Sequence, residues 1–168
     1  DQGTWVTNNI YDTGWGTTLD GNADGATYQN AMFEINSFDI TSSEGTLSAP
    51  RGIMEIQSTA DNIAGGDAFD TEGGSTFIHN NGTVKFTFTS VTDPQIRNRA
   101  NGNFWNLTVD LGNVAYTLET QRDITIENTL WIDTGTFQSY GTPRDITVVG
   151  NTQIDYPGRL NCASGKIC

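Results

Sequence analysis

The stretch Arg122-Asp123-Ile124-Thr125-Ile126 returns 22 residues later as Arg144-Asp145-Ile146-Thr147-Val148. Each copy is followed by an Asn-Thr pair, Asn128-Thr129 and Asn151-Thr152. Ile or Val alternating with Thr describes a strand that buries one face and wets the other. When such strands recur at a period of roughly twenty to thirty residues, each copy reads as one coil of a β-solenoid stacked on its neighbour. A stack of coils is a rod or platform. It offers a surface for binding or assembly and implies no chemistry by itself.

The rest of the chain is consistent with that reading. At 168 residues it suits a single domain with a real core. Charged residues make up 17% and glycine numbers 19, a profile of many turns between short strands. The 17 aromatic residues are spread along the whole length, so neither half lacks core material. A formal net charge of −12 and a pI near 4.1 repel phosphate backbones and anionic membranes, and the eight Lys and Arg form no run. Nucleic acid and membrane insertion are therefore excluded as expectations, the second also because no apolar run approaches the roughly 20 residues a span needs. Strong acidity fits a secreted or virion-exposed protein, with divalent cations as counter-ions. The chain opens with Asp1 and not Met, so a signal, a pro-segment or the remainder of a longer protein is expected to precede it.

Three regions follow. Residues 1–32 hold Trp5, Ile10, Tyr11 and Trp15 among Gly, Thr and Asn without a clean period, and read as an N-terminal cap or arm. Residues 33–156 carry the alternations, from Phe33-Glu34-Ile35 and Phe38-Asp39-Ile40 to the Arg144 strand. They are interrupted by long excursions at 60–74 and 90–103 and by the turn His79-Asn80-Asn81-Gly82. Residues 157–168 form a tail in which Cys162 and Cys168 are spaced to close a small disulfide loop; free thiols or an intermolecular link are the alternatives. The expected fold is all-β: a right-handed parallel β-helix or solenoid with an irregular N-terminal cap. The rival is a jelly-roll or other antiparallel sandwich. The expected core comprises Phe38, Ile40, Ile56, Val84, Phe86, Leu107, Val109, Leu118, Ile124, Ile126, Ile132, Phe137, Ile146 and Val148. The test between folds is whether the Arg122 and Arg144 strands lie parallel, adjacent and in register.

The run Gly73-Gly74-Ser75-Thr76-Phe77-Ile78-His79-Asn80-Asn81-Gly82-Thr83-Val84-Lys85-Phe86 resembles the GGTF-x-HNNGTV-x-F coil of many β-helical proteins of bacterial surfaces and tailed-phage appendages. Phe104-Trp105-Asn106-Leu107-Thr108-Val109 is similar to the FYNLT strand that usually follows. The stretch from Leu130-Trp131-Ile132 to Gly135-Thr136-Phe137 resembles the next coil, LTI-x-x-GTF. Together they cover roughly residues 73–155, and their order is more specific than any one of them. The resemblance implies a structural or adhesive role, and it carries no catalytic residues to transfer.

Candidate sites are few. Asp20-Gly21-Asn22-Ala23-Asp24-Gly25 opens like a calcium loop, with Asp20, Asn22 and Asp24 as oxygen donors. Ala31 stands where an EF-hand needs a Glu, so only a looser Ca²⁺ site or an Asx-rich turn remains. Asp61, Asp67, Asp70 and Glu72 would suit a polysaccharide-cleaving site, but solvated loop acids are the expectation, with Arg97 and Arg99 in an irregular excursion. His79 reads as a turn residue, not a base. Trp5, Trp15, Tyr28 and Tyr140 are candidates to line a glycan site, but core or interface packing is the expectation for all the aromatics, and Trp105 and Trp131 are expected to pack against neighbouring coils or subunits. The leading expectation is a non-enzymatic structural or adhesive protein of a virion (tail fibre, spike or capsid decoration) or bacterial cell surface, without a cofactor unless calcium. It would work as a homo-oligomer, a trimer first, through Trp5, Trp15 and Trp105, and alongside other virion or surface proteins. A secreted carbohydrate-binding module with glycans as partners comes second, and a polysaccharide-degrading enzyme third.

Overall fold

The computed structural model describes residues 4–12, 18–20, 32–40, 46–57, 67–71, 76–87, 94–98 and 102–161; before Leu47 it describes the backbone alone. The first strands are β1 (Thr4–Asp12), β2 (Thr18–Asp20), β3 (Met32–Ile40), β4 (Thr46–Ser48) and β5 (Ile53–Ile56). Next come β6 (Asp67–Thr71), β7 (Thr76–Ile78), β8 (Thr83–Phe86), β9 (Gln95–Asn98) and β10 (Phe104–Asp110). The chain continues with β11 (Thr117–Thr120), β12 (Ile124–Thr134), β13 (Thr136–Ser139), β14 (Ile146–Val148), β15 (Asn151–Ile154) and β16 (Arg159–Asn161). Among the described residues there is no helix.

All pairings among these strands are parallel. Ile124, Thr125 and Ile126 pair in register with Ile146, Thr147 and Val148, which meets the test set by the repeat. An antiparallel sandwich is excluded. The protein is a parallel β-solenoid, and its coils build three stacks. One ladder runs β1–β3–β5–β8–β10–β12–β15. A second runs from the far end of β3 through β6, β9, β11 and β13 to β16. The third is β2–β4–β7, continued where Phe104, Ile126 and Val148 fall in register.

Apolar columns fill the inside. Met54, Val84, Leu107 and Leu130 stack in register in the first ladder, as do Ile56, Phe86, Val109 and Ile132, all of them buried. Phe69 of the second stack meets Phe77 and Phe104 of the third in a closed triangle of rings, with centroids 5.5–5.6 Å apart. Such tilted and edge-on contacts suit the aromatic quadrupole. Of the expected core, Ile56, Val84, Phe86, Leu107, Val109, Leu118, Ile124, Ile126, Ile132 and Phe137 are buried. Ile146 and Val148 pack against the core but are only partly buried, because they belong to the last described coil and no further described strand covers them. The side chains of Phe38 and Ile40 lie outside the described residues.

Both presumed excursions contain strands. β6 lies within 60–74 and β9 within 90–103, and they pair with each other. Phe69 and Ile96 turn inward there, and Arg97 sits on regular strand and not in a loop. Each of these strands has one or two apolar residues among acids and amides, too few for alternation to show. The ladder also runs beyond the 33–156 span on both sides, through β1 and β16.

Corners are built from turns and close approaches. His79 to Gly82 close a turn in which the Gly82 N–H donates to the His79 carbonyl at 2.8 Å, with Asn80 and Asn81 at φ of 48° and 60°. Two consecutive left-handed residues make the type I′ geometry common in hairpins. Here it joins β7 to β8 around a corner instead. The Asn80 amide reaches back one coil, donating to Ser48 Oγ at 2.8 Å and the Ala49 carbonyl at 2.7 Å.

Candidate functional site

With the core filled, anything that acts on a partner lies on the outer surface. Much of that surface is committed to holding coils together. On the second stack, Asn161 donates to Gln138 (3.1 Å), Gln138 to Glu119 (2.9 Å) and Gln95 to the other Glu119 oxygen (3.4 Å). Gln121 donates to Gln95 as well. Beside the first stack, Asn128 donates to Asn106 (2.8 Å), and Asn106 to Thr83 (3.2 Å). Parallel in-register stacking puts like side chains one strand spacing apart, so amides chain along the axis.

Three features stand apart from these ladders. The first is the corner of His79, Trp105 and Glu127. His79 stacks on Trp105 with centroids 5.6 Å apart and planes 21° apart. Its Nδ1 accepts the Asn81 N–H at 2.9 Å, and its Nε2 lies 3.5 Å from Glu127. Asn103 donates to the same carboxylate at 2.8 Å. One face of the Trp105 indole is thereby stacked on a side chain of its own chain.

The second feature is an open groove of about 380 Å³ where the second and third stacks meet, lined by Asn98, Asn103, Asp123, Thr125, Asp145 and Thr147 over Ile124. Its polar groups are largely engaged within the chain. Asn98 accepts from Thr71 and donates to Gly102, and Asp123 accepts the N–H of Asp145.

The third feature is Trp131, which sequence reasoning placed in packing contacts. It is 38% exposed on the outer face of β12, while its neighbours Leu130 and Ile132 are fully buried. Its Nε1–H donates to Asp155 Oδ2 at 2.9 Å. Gln153 donates to both oxygens of that carboxylate, at 3.2 and 3.1 Å. Nothing in the sequence marks this trio, because Asp155 comes beside Trp131 only through the coil-to-coil register of β12 and β15.

The other candidates are scattered. Asp20 ends β2 with its backbone beside Ser48, while Asn22 and Asp24 lie outside the described residues. Cys162, Cys168, Trp15, Tyr28, Asp61, Glu72 and Arg99 also lie outside them. Trp5 is on β1, and β3, β5 and β8 separate it in the ladder from Trp105 on β10. At one strand spacing per step, those two backbones are about 19 Å apart. Asp67 and Asp70 are on β6, where Asp70 pairs in register with Asp39 and Arg97. Tyr140 follows β13 with half its surface open. Among the described residues no three His, Cys, Asp or Glu side chains converge as metal ligands.

The chain matches no protein-family model, no curated protein and no solved structure.

Proposed function

We propose that this chain is a non-enzymatic structural or adhesive component of a phage virion, as a tail fibre, spike or capsid decoration, or of a bacterial cell surface. The observation that carries the reading is the use of its outer polar side chains. The Gln95–Glu119–Gln138–Asn161 and Thr83–Asn106–Asn128 ladders spend their hydrogen bonds on neighbouring coils. A surface so committed stiffens a rod. The sequence resemblance to β-helical surface and appendage proteins supports the same role. The acidity of the chain suits an exposed, well-hydrated location. In this reading the chain assembles with copies of itself, as a trimer first, and with other virion or surface proteins.

Imaging the native particle or envelope tests the proposal. The expected result is this solenoid at a repeated position with other subunits on its flanks. A chain found only as a free monomer that turns over a polysaccharide would overturn it in favour of the enzymatic alternative. A secreted carbohydrate-binding module is the second reading, and the exposure of Trp131 favours it. Calcium at Asp20, Asn22 and Asp24 belongs to either reading, and calcium-dependent thermal stability of the whole chain would reveal it.

A further inference from the structure

We propose that Trp131 and Asp155 form a binding platform for one pyranose ring of a neutral glycan. The proposal goes beyond the structural role and does not depend on which particle or surface carries the solenoid.

The platform sits on the outward row of the first ladder, where Glu55, Lys85, Thr108, Trp131 and Gln153 occupy successive strands in register. Most of this row is polar, and the large indole of Trp131 has Thr108 and Gln153, not apolar side chains, on either side of it in the row. Thr108 is only 6% exposed, and its register neighbours in this row are Lys85 and Trp131. The Trp131 N–H is tied in the other direction, to Asp155 in the next coil. Trp131 is therefore tied by its N–H to the next coil, and the residue keeps more than a third of its surface open.

Its partner is equally fixed. The Asp155 carboxylate takes one N–H from Trp131 and is bridged by the Gln153 amide, while the Asp155 backbone N–H donates to the Ile132 carbonyl at 2.9 Å. A surface tryptophan without such ties samples several rotamers, and a ligand that stacks on it must freeze them. Here the freezing is done by the fold, which lowers the cost of binding.

The chemistry selects a sugar. One face of a pyranose presents polarised C–H bonds that suit the negative face of an indole, and its rim presents hydroxyls that need fixed acceptors. An ionised carboxylate offers about four lone-pair positions and donates nothing, so Asp155 can accept a hydroxyl beside the bonds it already takes. The Gln153 carbonyl oxygen adds a second acceptor. A net charge of −12 disfavours acidic sugars and phosphorylated ligands. A single indole is also far from the aromatic cage that holds a quaternary ammonium. One stacked ring gives weak affinity, in the millimolar range, which becomes useful when many copies act together.

The test uses the whole chain and a panel of neutral trisaccharides: maltotriose, cellotriose, chitotriose and mannotriose. Saturation-transfer NMR and tryptophan emission are read together, with trigalacturonate and tetramethylammonium as competing chemistries. At least one neutral trisaccharide should bind saturably in the millimolar range and shift the emission. Trp131→Ala should weaken it tenfold or more, Asp155→Ala several-fold, and Trp131→Phe less than Trp131→Ala. Trp105→Phe should leave binding unchanged. Because Trp131 is exposed, its variants should keep the thermal transition of the parent; Asp155→Ala, read in the same way, covers the case of a variant that does not. No saturable binding of any neutral trisaccharide would overturn the proposal. So would tighter binding of tetramethylammonium or trigalacturonate, or sugar binding that survives Trp131→Ala.

Discussion

The carboxylate of Asp123 accepts the backbone N–H of Asp145, its counterpart one coil on, at 2.9 Å. The Ile124 N–H donates back to the Asp145 carbonyl, also at 2.9 Å. The aspartate of the Arg-Asp-Ile-Thr repeat is thus a fastener. It supplies a partner to a backbone donor that enters the ladder from a corner, where strand pairing does not reach.

Replacing Asp123 with Ala removes that acceptor and should cost about 1 kcal/mol, since Asp145 is exposed and water can take over part of the bond. Asp123→Asn keeps an acceptor oxygen in the same place and should cost less. Thermal unfolding resolves the two, with a drop of about 2–4 °C for Ala in a chain of this size. Equal stability of both variants with the parent would show that the contact contributes nothing.

Glycines at close coil contacts should be far less tolerant than glycines at open turns. A Cβ on Gly150 would lie 1.9 Å from the Asn128 carbonyl oxygen, a backbone atom in the preceding coil that cannot swing away. Gly141 has a left-handed φ of 58° and nothing within 4 Å of a Cβ. Gly141→Ala should therefore cost only the left-handed penalty, about 1–2 kcal/mol. Gly150→Ala must separate two coils and should cost more, about 3 kcal/mol. Urea denaturation of the two variants side by side checks the order.

The strand repeat was legible because Ile and Thr alternate where both faces are defined. It became misleading one corner later. The pairs Asn128-Thr129 and Asn151-Thr152 look equivalent in sequence, yet the structure pairs Thr129 with Asn151. Keeping Ile132 above Ile154 decides the register, since a slip of one residue would send an isoleucine outward. Strands β6 and β9 were hidden for the opposite reason: in a three-stack coil a short strand needs only one inward side chain, and Phe69 or Ile96 suffices. The Trp131–Asp155 contact joins residues 24 apart across coils, and only the register brings them together.

The amide ladder at the corner makes a separate prediction. Asn106 accepts from Asn128 and donates to Thr83, so Asn106→Ala unpairs groups in the coils on both sides. A net loss of about 1–2 kcal/mol is expected, because each partner is only part-buried. Asn106→Asp keeps the acceptor for Asn128 and loses the donor to Thr83, and should fall between the two. Hydrogen exchange should show the loss at β8 and β12 together, since one side chain links them. Loss confined to a single neighbouring strand would contradict the ladder.

The aromatic triangle is where a single truncation should do most harm. Phe104 is fully buried and touches both Phe69 and Phe77, so it joins the second stack to the third across the core. Phe104→Ala should cost about 3–5 kcal/mol, a large part of the stability of an ordinary domain. In a solenoid that loss need not spread evenly, because each coil contacts only its neighbours. Protection should fall first in β6, β7 and β10, while β13 and β16 hold. Ile154→Ala is the contrast. Ile154 continues the Ile56–Phe86–Val109–Ile132 column but is 46% exposed in the last described coil, so its truncation should cost below about 1.5 kcal/mol. Hydrogen exchange on both variants separates the cases. Uniform loss of protection along the chain in Phe104→Ala would show that the coils unfold as one unit.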